Sequence, residues 1–459
     1  MRVLLVAHRF PPDGFGGVER YTQSLTTELQ RRGERVAIVA RRESTASLLP
    51  QLTRERLPEG ATLYRIVGGT AAPARFLFDN ERLRQLFTAA MIEFCPDVVH
   101  VNHLWGLSPD LVSVAHRYGT AVVISLHDFY FACPLVHLQK RSGDLCSGPD
   151  AGRECAATCF KAEGRQAPLR WGLRAAYFRR LLLMGHRIIA YSNHVASFFE
   201  RSGLATERIR VIPNGVSFQE ETSASIPNEP KGRRLRLAFC GAVVRHKGPH
   251  LIIEALDVAK LEAAHLLLLG ETPDPGYVGQ IRERASAIPG LTVEFGGPYE
   301  PREMPDLLKE TDYVIVPSLV PEAGPIVPRE ALALGIPTIV SDAGALPEAI
   351  GAGENGLIFP VGRAGALGGI LRRLSRDRSL GRRLRQGAGS TAVSTVAAHA
   401  AQVTAVYGEA VSLAESSRAP SEGEFRELAV LLDSLEDIGF GGPNDVGERM
   451  RRWVGQSHV

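Results

Sequence analysis

Two glutamates eight positions apart, Glu322 and Glu330, bracket a helix start between two apolar runs, and together they suit a polyhydroxyl ligand. The run Asp312-Tyr-Val-Ile-Val-Pro-Ser318 reads as a buried strand, and Pro337-Thr-Ile-Val-Ser-Asp342 reads as the next one. Between them Arg329 to Leu334 forms a short helix ended by Gly335, with Pro325 or Pro328 suited to its first position. A helix start at the carboxyl end of a parallel strand offers free amide groups and a partial positive charge, which favour a diphosphate or a row of hydroxyls. Glu330, deeper in the helix, can accept hydrogen bonds from both hydroxyls of a sugar diol.

Other segments place chemistry-bearing residues at strand ends. Met1 to Ala7 is a first strand, followed by the loop Pro11 to Gly17 and a helix opening at Val18-Glu19. Adjacent Gly16 and Gly17 let backbone approach a ligand and adopt positive φ. The run Asp97 to Asn102 ends one strand, and Val122 to Asp128, carrying His127, ends another. A histidine there is either a satisfied core residue or a ligand contact. In the second half, the strand Leu235 to Cys240 runs into Gly241-Ala-Val-Val-Arg-His-Lys-Gly248, which brings Arg245 and Lys247 ahead of a helix from Pro249 to Lys260.

Over roughly residues 1 to 410 these segments resemble the retaining glycosyltransferases of the bacterial group 1 type, family 4. The resemblance implies an α/β GT-B architecture, two facing Rossmann-like domains with a cleft between them. It places Glu322 near the transferred sugar, Glu330 on the donor's ribose, and the backbone amides of Gly324 and Ile326 on phosphate and sugar. Gly16 and Gly17 face donor phosphate or acceptor, and His127 contacts the donor sugar, while Asn102 holds a position where the family commonly shows a second histidine. Lys247 points at the diphosphate; the usual arginine is replaced by Ala242, and Arg245 is the residue placed to supply the missing charge. His127, Lys247 and Glu322 are thus the expected catalytic set.

Fixed cations suit such a reaction because the leaving nucleoside diphosphate gains negative charge as the glycosidic bond breaks. No D-x-D triplet occurs, so no metal ligands or cofactor are expected, and the nucleotide sugar is a co-substrate. The implied activity is metal-independent hexosyl transfer to a hydroxyl of a glycan, lipid-linked or small-molecule acceptor, in cell-surface polysaccharide or glycolipid biosynthesis. Retention implies front-face attack, the departing phosphate accepting the acceptor's proton. A GT-B epimerase or phosphorylase, differing in acceptor, and a non-catalytic GT-B scaffold, suggested by Ala242, are the alternatives. A dinucleotide oxidoreductase is disfavoured because Gly14-Phe-Gly-Gly-Val-Glu19 lacks the G-x-G-x-x-G spacing.

At 459 residues, with 44% hydrophobic side chains, the chain can bury two cores. The pattern predicts an N-terminal domain over 1–215, a polar linker over 216–233, a nucleotide-sugar domain over 234–395 and a crossover helix over 396–412. A tail over 413–459, with a helical stretch at Glu424 to Leu435, has no assigned role. The apolar run after Arg2 is a strand rather than a signal peptide, and no run approaches the roughly 20 apolar residues of a spanning helix. A cytoplasmic protein is expected.

Residues 1–215 carry 28 Lys and Arg against 19 Asp and Glu. That excess suits an anionic membrane surface or lipid-diphosphate acceptor, and no nucleic-acid motif is found. The expected contact is Leu169 to Arg187, where Arg170, Arg174, Arg179 and Arg180 accompany Trp171, Tyr177 and Phe178; the other reading is a packed helix with a basic outer face. Four of the six cysteines, Cys133, Cys146, Cys155 and Cys159, follow the His127 strand. Four thiolates complete a tetrahedral zinc shell, but the spacing lacks paired C-x2-C knuckles, so reduced thiols in a loop are the other reading.

Overall fold

The computed structural model describes residues 1–14, 16–45, 49–69, 80–217 and 234–416. Most of the expected linker and tail, including Glu424 to Leu435, lies outside the described residues. The chain forms two units. One comprises Met1–Ala190, Ala196–Ile212 and the chain from Ala400; the other comprises Tyr191–Val195 and Pro213–His399.

In the first unit the strands are β1 (Arg2–Ala7), β2 (Arg35–Arg42), β3 (Gln51–Arg56), β4 (Thr62–Val67), β5 (Val98–Val101), β6 (Ala121–Leu126), β7 (Arg187–Ala190) and β8 (Ile209–Val211). They form one sheet in the order β3-β4-β2-β1-β5-β6-β7-β8, parallel throughout except for the antiparallel edge pair β3/β4. Val3, Leu4, Leu5 and Val6 are fully buried, as the near-continuous apolar run requires of a parallel strand covered on both faces. The helices that follow are α1 (Gly17–Arg31), α2 (Glu81–Phe94), α3 (Leu111–Arg117), α4 (Ala167–Met184) and α5 (Asn193–Arg201).

The second unit holds β9 (Leu235–Cys240), β10 (Ala264–Leu269), β11 (Leu291–Gly297), β12 (Tyr313–Val316), β13 (Thr338–Ser341) and β14 (Gly356–Phe359), all parallel in the order β11-β10-β9-β12-β13-β14. Its helices are α6 (Pro249–Ala259), α7 (Pro275–Ser286), α8 (Met304–Leu308), α9 (Val327–Ala333), α10 (Ala364–Arg376) and α11 (Arg378–Gly389), and α12 (Val396–Ser416) follows. From Ala400 onward α12 belongs to the first unit. There the Tyr407 hydroxyl meets Nδ1 of the fully buried His100 at 2.7 Å, and Glu409 accepts from Arg187 at 2.6 Å and Arg210 at 2.7 Å.

Both sheets reverse strand order beside their first strand, between β1 and β5 and between β9 and β12. At such a switch point the loops leaving the carboxyl ends diverge and open a crevice for ligand. The expected site residues fall on the segments that follow β1, β6, β9 and β12, with Gly17 opening α1 and Glu330 inside α9. No helix among the described residues is long and apolar enough to cross a membrane.

The helix expected to meet a membrane is α4, and its geometry corrects part of that expectation. Arg174 is 1% exposed, lying with Trp171 and Phe178 on the buried face. Its guanidinium donates to the carbonyls of Tyr130 at 2.8 Å and Ala132 at 3.3 Å, so it cannot reach a lipid surface. The outer face carries Leu169, Leu173 and Leu183 with Arg170 and Arg180.

Candidate functional site

In the second unit the site grows from β9. Gly241 leaves the strand at φ +140°, and a Cβ at Gly270 would stand 2.0 Å from the Gly241 carbonyl oxygen, so the neighbouring loop must also be glycine. A single turn, Arg245–Lys247, then ends at Gly248, whose φ of +73° and contact with Pro317 exclude a side chain. This turn is stitched to the β12 loop, since the Leu319 amide donates to the His246 carbonyl at 2.8 Å.

Lys247 Nζ donates to Glu322 Oε1 at 2.7 Å, and the Ser318 hydroxyl donates to the same oxygen at 2.6 Å. Lys247 is about a third exposed and Glu322 mostly buried, so the ammonium stays accessible while the carboxylate is held. Glu322 is clamped through its backbone as well: its carbonyl accepts from the Ala345 amide at 2.8 Å beside Gly344. The Ser318 carbonyl in turn accepts from Ser341 Oγ at 2.7 Å.

Arg245 turns elsewhere. Its guanidinium donates to Gln280 at 2.7 Å and lies 4.8 Å over the Tyr277 ring, both on α7, and none of its contacts is with Lys247 or Glu322. Glu330 is buried in α9, with its amide bonded to the Ile326 carbonyl at 2.9 Å and Pro328 in the first turn. Burial and the nearby Glu330 charge push the Cys240 thiol up. Gly324 is held by Asn214, which donates to its carbonyl at 3.0 Å, while the Ser192 hydroxyl donates to the Ala323 carbonyl at 2.6 Å. A Cβ at Gly324 would meet Tyr191 at 2.5 Å, which is the reason for glycine there.

In the first unit the loop after β1 is fastened by Arg65, which donates to the Pro11 carbonyl at 2.9 Å and pairs with Asp13 and Glu55. The expectation of positive φ at its glycines is corrected: Gly16 has φ −70°, and Gly17 is not in the left-handed region. The smallness of Gly14 and Gly16 serves Glu19 instead, because a Cβ on either would stand 2.7 Å from its carboxylate oxygens, whereas one on Gly17 would meet nothing within 4 Å.

That carboxylate is 3.1 Å from His8 Nε2, directly after β1. Burial pushes the His8 imidazole down, with Glu19 pulling only partly the other way. Burial alone would raise the Glu19 carboxyl, yet its bond to His8 lowers it overall. His8 Nε2 and the Glu19 carboxylate thus form one buried hydrogen-bonded pair. His103 accepts from the Trp105 amide at Nδ1, 3.0 Å, so its Nε2–H donates to Asp128 Oδ2 at 3.0 Å. Burial pushes the Asp128 carboxyl up, but the neighbouring His103 and the hydrogen bond from the Tyr130 amide outweigh it and the net shift is down. The His8 and His103 rings lie 4.7 Å apart. His127 is half-buried, edge-on to Tyr21 at 4.6 Å and 3.5 Å from Asn102 Oδ1.

The fold thus joins Lys247 to Glu322, leaves Arg245 apart, and adds His8, Glu19, His103 and Asp128, which the sequence reading did not single out. Their signal was positional: His8 and His103 stand just beyond β1 and β5, the two strands that flank the switch point.

The Glycosyltransferase Family 4 profile matches residues 15–220, and the Glycosyl transferases group 1 profile matches residues 220–390. Glycogen synthase of Mycobacterium tuberculosis is 25% identical over 381 residues, covering 78% of this chain and 82% of the relative. D-inositol 3-phosphate glycosyltransferase of Corynebacterium jeikeium is 26% identical over 386 residues, covering 78% and 83%. Among solved structures, sucrose-phosphate synthase from Thermosynechococcus elongatus aligns at TM-score 0.63 and 20% identity, over 90% of this chain and 99% of its own. HepE from Anabaena, in complex with UDP and glucose, aligns at 0.60 and 18%, over 89% and 99%. With both profiles running consecutively along the chain, and both Rossmann-like units present, the chain belongs to the group 1, family 4 glycosyltransferases and has the GT-B fold.

Proposed function

We propose that this enzyme transfers a sugar from a nucleoside diphosphate sugar to an acceptor hydroxyl with retention at the anomeric carbon. The observation that carries the reading is the Lys247–Glu322–Ser318 cluster at the β9/β12 switch point, an exposed ammonium beside a held carboxylate. The incoming diphosphate draws Lys247 from Glu322 and takes its charge, which then stabilises the leaving group as the bond breaks. Glu322, released from the ammonium but still bonded to Ser318, accepts hydroxyls of the transferred sugar. Glu330 binds the ribose, and the amides of Gly324 and Ile326 bind phosphate and sugar. The departing phosphate takes the acceptor's proton, so no protein nucleophile is needed.

Names of relatives support the donor class: HepE is solved with UDP-glucose, and Starch Synthase IV of Arabidopsis with ADP. His127 keeps its proposed role as a sugar contact. With no D-x-D triplet and a lysine at hand, turnover is proposed to persist in chelator. Hexosyl transfer to a glycan, lipid-linked or small-molecule hydroxyl, in surface polysaccharide or glycolipid synthesis, remains the proposed setting. A peripheral contact with anionic membrane is proposed for the outer face of α4, now without Arg174. The test of the donor reading is binding of UDP, GDP and ADP, followed as a shift in melting temperature. A shift by one of them supports it, and none by any of them removes it.

A further inference from the structure

Between β6 and α4 the chain makes loops and short helical turns, and all four of their cysteines line one cavity of about 10 Å³. Cys155 and Cys159 sit on a single helical turn. Cys146 is brought in by its amide bond to the Leu138 carbonyl at 2.7 Å. The stretch after Cys133 holds Val136 at φ +73° and Leu138 at φ +51°.

A second observation concerns charge. Arg174 is fully buried against this segment, yet its hydrogen bonds go only to the Tyr130 and Ala132 carbonyls, and its Nε has no partner. Among the described residues, the titratable groups acting on it are Tyr130, Cys133 and Cys155, with no carboxylate among them. The Phe178 ring, 4.0 Å away, offers only a quadrupole. A buried guanidinium without a counter-charge is costly. The groups able to supply negative charge beside it are the cysteines.

We propose that Cys133, Cys146, Cys155 and Cys159 are the ligands of a structural zinc ion. Binding replaces four S–H protons with one Zn²⁺, leaving a tetrathiolate centre of charge −2 beside Arg174. A coordinated thiol is deprotonated outright. The cavity has room for a single ion, not for an iron–sulphur cubane. Among the described residues no group of three or more His, Cys, Asp or Glu is arranged to hold a metal ion, so binding requires the four thiols to move inward. By fixing Cys133 and the Tyr130 and Ala132 carbonyls, the centre holds Asp128, whose Oδ1 accepts from the Tyr130 amide at 2.8 Å, against His103.

The test is the metal content of the full chain, purified without metal-affinity steps or chelator. Expected are stoichiometric zinc, its release by an organomercurial thiol reagent, and a thiolate-to-cobalt charge-transfer band after exchange with Co²⁺. Cys159→Ser, on the half-exposed turn, should lose the zinc, while Cys95→Ser should retain it. If Cys159→Ser fails to fold, the zinc content and cobalt band of the unaltered chain still decide. A folded, zinc-free protein that takes up no cobalt overturns the proposal. Stoichiometric iron with acid-labile sulphide overturns it equally.

Discussion

Lys247 and Glu322 lie 75 positions apart in sequence and 2.7 Å apart in space, joined by loops that leave adjacent strands β9 and β12. The carboxylate keeps a second donor, Ser318, so it stays fixed when the ammonium leaves. Lys247→Ala should lower kcat by roughly 10²-fold or more, comparable to losing one preorganised donor. Steady-state kinetics with the accepted donor measures it, and an unchanged kcat would place the diphosphate elsewhere.

Glu330 should behave differently. If it binds ribose alike in the ground and transition states, Glu330→Ala raises the donor KM with a smaller fall in kcat. Unaltered donor affinity in a folded variant would remove the assignment.

Arg245 is engaged by Gln280 and Tyr277, so Arg245→Ala should leave kcat within about two-fold of the parent, far from the loss expected at a preorganised donor. A fall as large as that of Lys247→Ala would show that the side chain swings to the diphosphate on binding.

The α4 arginines separate into two classes. Arg174→Glu buries an unpaired carboxylate and should destabilise the fold by about 3–5 kcal/mol, read from denaturant unfolding. Arg170→Glu and Arg180→Glu lie on the outer face and should stay within about 0.5 kcal/mol of the parent. The same exposed pair should reduce sedimentation with anionic liposomes at low salt, an effect screened over about 10 Å at 0.1 M salt. If the unaltered protein does not sediment, the membrane contact is removed and a soluble acceptor becomes the reading.

Acid sensitivity follows from His186. Its Nδ1 accepts from the Val122 amide at 3.0 Å, and burial, with His116, Arg208 and Arg187 adding to it, pushes the imidazole down from 6.5 to about 4. Below pH 6.5 the unfolded chain binds this proton and the folded one does not, so stability falls as pH drops from 6.5 towards 4. His186→Gln should flatten that part of the melting-temperature profile, and an unchanged slope would assign it to other groups.

Much of the second unit was legible because its chemistry is written locally. Lys247 precedes its glycine and proline, and Glu322 and Glu330 flank one helix start, so strand, turn and helix signals place each at a strand end. What could not be read was the pairing of Lys247 with Glu322, which depends on β9 and β12 being neighbours. The His8–Glu19 and His103–Asp128 pairs escaped for the same reason, since each partner comes from a different element. Arg174 was misplaced because a basic residue was taken as an outer-face residue, whereas the carbonyls of Tyr130 and Ala132 draw it inward. The glycines after β1 were read as letting backbone approach a ligand and adopt positive φ, whereas Gly14 and Gly16 clear room for Glu19.

The most direct test is release of nucleoside diphosphate from a panel of nucleotide sugars by the unaltered enzyme and by Lys247→Ala, with the fold of both verified. The expected result is turnover of at least one donor, in the presence of chelator, that falls about 10²-fold or more without Lys247. Absence of both binding and turnover for every donor in the folded, unaltered enzyme, or equal turnover by the variant, would contradict it.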